Sequence, residues 1–265
     1  MHGPSPADSP HELVVLVGDR LTPSGDDREG LIRYSDFLAS VERGRYDASP
    51  PTRLKIVTGQ GIGRYETDHL QRELKRRNLD STVERSLGND TDLSLAGRHE
   101  VHKDSQRNVL VCDVRQVGAG RYQAGLYIDN DNELVLDHAT GRHIPGMVVM
   151  EATRQMARVS AERQLDGRTT GGGYQWVVHS CNTEFRGFLF PLPVLLECEI
   201  SQAGRHRPNQ SRFQATVSLC QGGRATVVST MEFAAYRERT LERAERMQAT
   251  RAVQETVANL SARPS

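Results

Sequence analysis

Residues 137–156 read DHATGRHIPGMVVMEATRQM, and the order of residues in the second half decides the reading of the chain. Four apolar residues, Met147 to Met150, are followed at once by Glu151 and then by Ala152. Burying an ionised carboxylate without partners costs several kcal/mol or more, so Glu151 must be solvated, paired or chemically employed. Pro145 suits a first helical turn, where its missing N–H wastes no hydrogen bond. Gly146 beside it lets a ligand come close to the free N–H groups of that turn. The spacing predicts one long apolar helix from about Pro145 to Gln164.

Outward from this helix the pattern changes to strands. Upstream, NVLVCDVRQVG and RYQAGLYID flank a turn at Gly118–Gly120, and NELVLDH follows. Downstream, past Gly171–Gly173, come YQWVVHSCNTEF, PVLLECEISQAG, SRFQATVSLCQ and RATVVSTMEFAAY, all with strand character. One helix wrapped by a curved antiparallel sheet is an α+β arrangement, the hotdog fold. The last segment, rich in Arg and Glu, reads as a charged helical tail.

The first third is different. ELVVLVGDRL and TRLKIVTGQGIG read as buried strands and STVERSL as a third. LIRYSDFLASVER and RYETDHLQRELKRRN carry helical spacing. Alternation of strand and helix predicts a small α/β unit. The expected organisation is a disordered start (1–10), the α/β unit (11–88), a linker (89–100), the hotdog domain (101–236) and the charged tail (237–265). The run GQGIGRYE lies between a strand and a helix, as a dinucleotide loop would, but Arg64 stands where the third glycine of G-x-G-x-x-G belongs. A tight strand-to-helix turn is the better reading, and the unit as a whole reads as a docking module.

Composition excludes several classes. The 265 residues carry 34 basic and 34 acidic side chains, a formal charge of zero, which argues against nucleic acid as the principal partner. The four cysteines show no C-x-x-C spacing, so neither a zinc site nor a disulfide framework is expected. No apolar run approaches the ~20 residues that span a bilayer, and the polar, proline-rich start lacks the order of a signal peptide. The expectation is a cytoplasmic protein with no membrane partner.

HIPGMVVMEATRQ resembles the helix start of 3-hydroxyacyl-carrier-protein dehydratases, in which a histidine precedes a Pro-Gly pair and a glutamate lies five residues after the glycine. Glu151 keeps that spacing from Gly146. The histidine side departs: His138 is one residue nearer to the Pro-Gly pair, and His143 sits between. A closer resemblance is to the A-factor biosynthesis hotdog family of butyrolactone synthases. It rests on VHKDSQRNVLV (residues 101–111) together with residues 137–156 and covers about 101–236. Those synthases resemble two fused hotdog units, whereas this chain shows one behind an α/β segment.

The resemblance implies an acyl thioester substrate on an acyl carrier protein or coenzyme A, with no cofactor beyond the phosphopantetheine arm that carries it. The expected chemistry is dehydration or hydration of a 3-hydroxyacyl group. In it His138 moves the α proton, and Glu151, its pKa raised by the apolar run, protonates the departing hydroxyl. His143 is the second candidate histidine. The N–H groups of Gly146 and Met147 would polarise the carbonyl. Gln155 would support packing or hydrogen bonding, and His102 and Lys103 are candidates for carrier contact. Two other readings stand beside this one. The first is β-ketoacyl transfer to a small hydroxylated acceptor, and the second is a non-catalytic acyl-binding protein. Glu151 could equally be a plain ion-pair partner of Arg154 or Arg158 on its own helix. An exposed sheet edge and an open helix start predict a two-fold homodimer, with His138 of one chain meeting Glu151 of the other.

Overall fold

A computed structural model describes residues 11–21, 31–47, 53–79, 81–84, 93–136, 143–165, 174–207 and 209–261. The larger unit is the hotdog. Its six strands are β5 (Val111–Gly118), β6 (Arg121–Leu126), β7 (Tyr174–Phe185), β8 (Leu195–Arg207), β9 (Gln210–Gln221) and β10 (Arg224–Arg237). They lie in the order β5-β6-β8-β9-β10-β7, and every pairing is antiparallel. The long helix predicted from the sequence runs Gly146–Gln164 and packs against β8 and β9. Its Val148, Val149, Ala152, Met156, Ala157, Val159 and Ala161 are buried against Leu196, Ala215, Val217 and Leu219 of the sheet. Alanines on the helix let it lie close to strands that carry the larger branched residues.

The smaller unit is a parallel sheet in the order β2-β1-β3-β4, formed by β1 (His11–Val17), β2 (Leu31–Arg33), β3 (Arg53–Thr58) and β4 (Ser81–Glu84). Helices α1 (Tyr34–Glu42) and α2 (Arg64–Arg76) complete it. The first helix starts three residues later than its periodicity predicts, because Leu31–Arg33 pair with Val15–Val17 instead. Helix α2 starts at the glycines of GQGIG, where the Glu66 carboxylate accepts a hydrogen bond from the Gly63 N–H at 3.0 Å.

Two further short helices, α3 (Arg98–Val101) and α4 (Glu133–Leu136), precede the long helix, which is α5 (Gly146–Gln164); α6 (Glu238–Ser261) follows β10. The end of the expected linker is not a free connector. Leu95 bridges to Cys112 of β5, Ala96 is buried in the hotdog core, and α3 packs on α5. The expected disordered start lies outside the described residues. Every residue of α6 up to Ser261 is exposed or half-exposed. Among the described residues, no helix is long and apolar enough to cross a membrane.

The two units share a core: Val17 and Leu21 at the end of β1 are buried within the hotdog cluster. A fragment beginning at residue 93 should therefore lose ~2–4 kcal/mol of stability, the scale of uncovering two buried aliphatic side chains. Guanidinium unfolding of the fragment and the full chain checks this; equal midpoints and slopes would mean that the units are energetically independent.

Candidate functional site

The stretch that opens the sequence reading places Glu151 on the first turns of α5, with its side chain only 17% exposed. It is paired, not solvated. Arg154 donates two hydrogen bonds to it, Nε to Oε2 at 2.8 Å and an η nitrogen to Oε1 at 2.7 Å. Lys103 Nζ lies 2.9 Å from Oε1, and Gln155 Nε2 donates to the same oxygen at 2.9 Å. Burial pushes the carboxyl pKa up, but the hydrogen bonds and charge of Arg154, with those of Lys103 and Gln155, outweigh it and hold Glu151 down to about 2. The expectation of a raised pKa is overturned. Desolvation acts as the apolar run foretold, yet two cations and an amide outweigh it.

Each partner is fixed in turn. Arg154 also donates to the Val101 carbonyl at 3.0 Å. Gln155, fully buried, donates to the Asn108 carbonyl at 2.8 Å and accepts from the Leu110 N–H at 2.8 Å. This tether holds the start of β5 against α5, so Gln155 hydrogen-bonds the carboxylate and also joins helix to sheet. Lys103 belongs to the carboxylate cluster. His102 stays exposed, in a left-handed conformation at φ 58°. Its pKa is lowered by partial burial and by the neighbouring charges of Arg158 and Arg154.

The cluster opens into a cleft of about 390 Å³. Met147, Met150 and Met231 form its apolar wall with Val178, while Lys103, Glu151, Arg154, Asn108 and Asn132 form the polar one. Cys181, from the middle of β7, also reaches it. A second cavity of about 510 Å³ lies on the other side of the helix start, lined by His143, Gly146, Val149, Phe185 and Phe188. The His143 ring packs against Phe188 with centroids 5.0 Å apart. Within one chain His143 and Glu151 thus line separate cavities, parted by the first turn of α5. His138 lies outside the described residues.

The helix start is built for access. A Cβ added to Gly146 would meet only the Phe185 ring, at an ordinary 3.5 Å, so the fold itself does not demand glycine there. Met147 is 62% exposed beside it. The first N–H groups of an α-helix have no intrahelical partner and carry the positive end of its dipole, which suits a carbonyl oxygen gaining charge. Sequence reasoning singled out Glu151, Gly146, Met147, Gln155 and Lys103, all of which lie at or beside the start of α5. It missed Asn108, Asn132, Val178, Cys181 and Met231, which come from four separated segments and carry no local pattern that marks them as neighbours.

The family model for the A-factor biosynthesis hotdog domain matches residues 87–236. No curated protein sequence matches the chain. Among solved structures, a mutant thioesterase from Pseudomonas aeruginosa is similar over 54% of this chain and 95% of its own, with 14% identity and a TM-score of 0.39. A conserved protein from the same organism aligns over 53% and 99%, with 15% identity and a TM-score of 0.38. The protein AziG of S. sahachiroi aligns over 47% and 90%, with 16% identity and a TM-score of 0.34.

The ion cluster predicts how stability depends on pH. A carboxyl whose pKa falls from 4.5 unfolded to about 2 folded stabilises the protein fully above 4.5. That contribution fades as pH falls toward about 2, and its size is on the order of 3 kcal/mol. The stability difference between the wild type and Glu151→Gln should therefore be largest above pH ~5 and shrink as Glu151 protonates. Urea unfolding of both proteins from pH 7 to pH 3 reads it; a difference independent of pH would mean that Glu151 is not held low.

Proposed function

Because the chain belongs to the A-factor biosynthesis hotdog domain family, we propose that it is an enzyme that takes an acyl thioester from an acyl carrier protein or coenzyme A and transfers the acyl group to a small hydroxylated acceptor. The observation that carries this reading over dehydration is the ionisation of Glu151. A carboxylate held at about 2 has no proton to give a departing hydroxyl near neutral pH. It can, however, accept a hydrogen bond from an alcohol and orient its oxygen for attack.

This reading assigns the roles. The acyl chain lies along Met147, Met150, Val178 and Met231. The carbonyl oxygen points at the N–H groups of Gly146 and Met147, and the acceptor hydroxyl rests on Glu151. Its oxygen attacks the carbonyl carbon, the C–S bond breaks, and the hydroxyl proton passes by way of a histidine to the leaving thiolate. Replacing the acceptor by water gives thioester hydrolysis from the same groups.

A second copy of the chain would complete the site. Strand β7 is twelve residues long, pairs with β10 on one side, and ends the sheet on the other. Val178, Cys181 and Phe185 on it are exposed, as is Phe188 at 69% in the loop that follows. A long edge strand with exposed apolar side chains calls for a partner. Pairing β7 with β7 of a two-fold mate would close the cleft over Cys181 and bring a histidine of one chain, His138 or His143, toward Glu151 of the other.

Intact-mass analysis of a panel of acyl-carrier proteins, incubated with the protein and polyols, tests the reaction. Transfer and hydrolysis unload the carrier, dehydration leaves it lighter by one water, and unchanged carriers with retained acyl binding would mean a binding protein. Glu151→Gln should lower turnover at least ~100-fold with the fold retained. Because Glu151 is held ionised, kcat/KM should not rise on acidification. A rate that rises on acidification below pH 5 would return the acid role to Glu151.

The shared site has its own test. Glu151→Gln, refolded together with His138→Ala or with His143→Ala, should regain part of the activity in mixed dimers for the histidine that serves the partner's site. Mixed dimers without activity in either pairing, or a monomer by light scattering, would sink the composite site.

A further inference from the structure

The glycine-rich run between β3 and α2 has a different use from the one its sequence advertises. In an open parallel sheet with the order β2-β1-β3-β4, the chain reverses direction across the sheet between β1 and β3, and ligands usually bind at the strand ends there. Here that crevice is occupied by the hotdog unit's own backbone. Gln60 is 3% exposed. Its Nε2 donates to the carbonyls of Leu126 at 3.1 Å and Leu192 at 3.2 Å, and its Oε1 accepts from the Ile128 N–H at 2.9 Å. The Gln60 N–H donates to the Pro191 carbonyl at 2.9 Å, and the Gly61 N–H to that of Ile128 at 2.9 Å.

The glycines make this approach possible. A Cβ at Gly59 would lie 2.3 Å from the Pro191 carbonyl oxygen, and Gly61, at φ +79°, touches Gly18 so closely that neither has room for one. At the rim, the Arg20 N–H donates to Asn130 Oδ1 at 3.1 Å, and the Arg20 side chain pairs with Asp131 at 3.2 Å.

The two segments that Gln60 grips both continue into walls of the cavities beside α5. Beyond Ile128, the segment turns through Asp129 and Asn132 into Glu133 and Leu134, which line the Glu151 cleft. Ahead of Pro191, Phe185 to Leu189 line the His143 cavity, and the Leu189 carbonyl accepts from the Ile144 N–H at 2.7 Å, next to the helix start. We infer that the α/β unit is a brace that sets the shape of both cavities, with Gln60 as the positioning residue that reaches both segments. That the cavities hold substrate rests on the acyl-transfer reading; the brace itself does not. A ligand that tightens either wall must then also tighten the Gln60 loop, since coupling between two sites is reciprocal.

Amide hydrogen exchange on the full-length chain tests the brace directly. Gln60→Met keeps the side chain's length and removes its three hydrogen bonds. It should speed exchange at least ~10-fold in both segments 127–135 and 186–192, the scale of losing two or three buried hydrogen bonds. The paired interior of β8 and β9 should stay unchanged. Arg20→Ala, at the exposed rim, should do the same more weakly in 127–135, and it decides the matter if Gln60→Met does not fold. On octanoyl-CoA, Gln60→Met should raise KM several-fold more than it lowers kcat, and saturating octanoyl-CoA should slow exchange at residues 59–62 of the wild type. Faster exchange confined to 59–62, or unchanged exchange in either wall, would overturn the brace. If the wild type neither binds nor turns over any thioester while both walls still loosen, the acyl-transfer reading fails and the brace stands.

Discussion

A carboxylate on a buried helix needs partners, and the partners of Glu151 hold together much of the hotdog unit. Arg154 reaches from α5 to the Val101 carbonyl, Lys103 reaches back from the segment after α3, and Gln155 ties the same carboxylate to both ends of the turn that enters β5. Leaving such a charge unpaired would be strongly destabilising, so residues 101–110 are confined to one path over the helix. The cleft exists because that path and the edge strand β7 stand on either side of the same helical turn.

The same network sets the chemistry. Low local polarity alone would have made Glu151 an acid, as the apolar run before it implies. Two cations and a buried amide reverse the outcome and keep it an anion across the physiological range. His143, just before the helix start, lies in the neighbouring cavity. The first turn of α5 is therefore a partition, with a fixed anion on one side and an imidazole and aromatic rings on the other.

The α/β unit shows how a familiar arrangement can be turned to another use. Its strand order and glycine-rich turn are those of a ligand-binding crevice, but Gln60 and the Gly18–Gly61 contact close it on the backbone of the hotdog. Polar backbone groups at the ends of β6 and before β8 would otherwise face a buried interface without partners, and the glutamine amide satisfies three of them at once.

By itself the sequence determined the long helix from about Pro145 to Gln164, the strands around it and the α/β unit ahead of them, because hydrophobic periodicity, proline and glycine act over a few residues. It also singled out Glu151, since a carboxylate behind an apolar run is a local anomaly. Periodicity did not show that Leu31–Arg33 join a sheet, or that residues 95–101 belong to the hotdog core, because those segments are placed by partners far along the chain. Only the tertiary structure decided the protonation of Glu151, the assignment of Lys103 to its cluster, the parting of His143 from it, and the work of Gln60. Arg154 and Gln155 reach Glu151 within about one helical turn, but Lys103 and Glu151 are 48 residues apart and Gln60 and Leu192 are 132 apart; charge, burial and hydrogen bonding act through space, where sequence spacing carries no information.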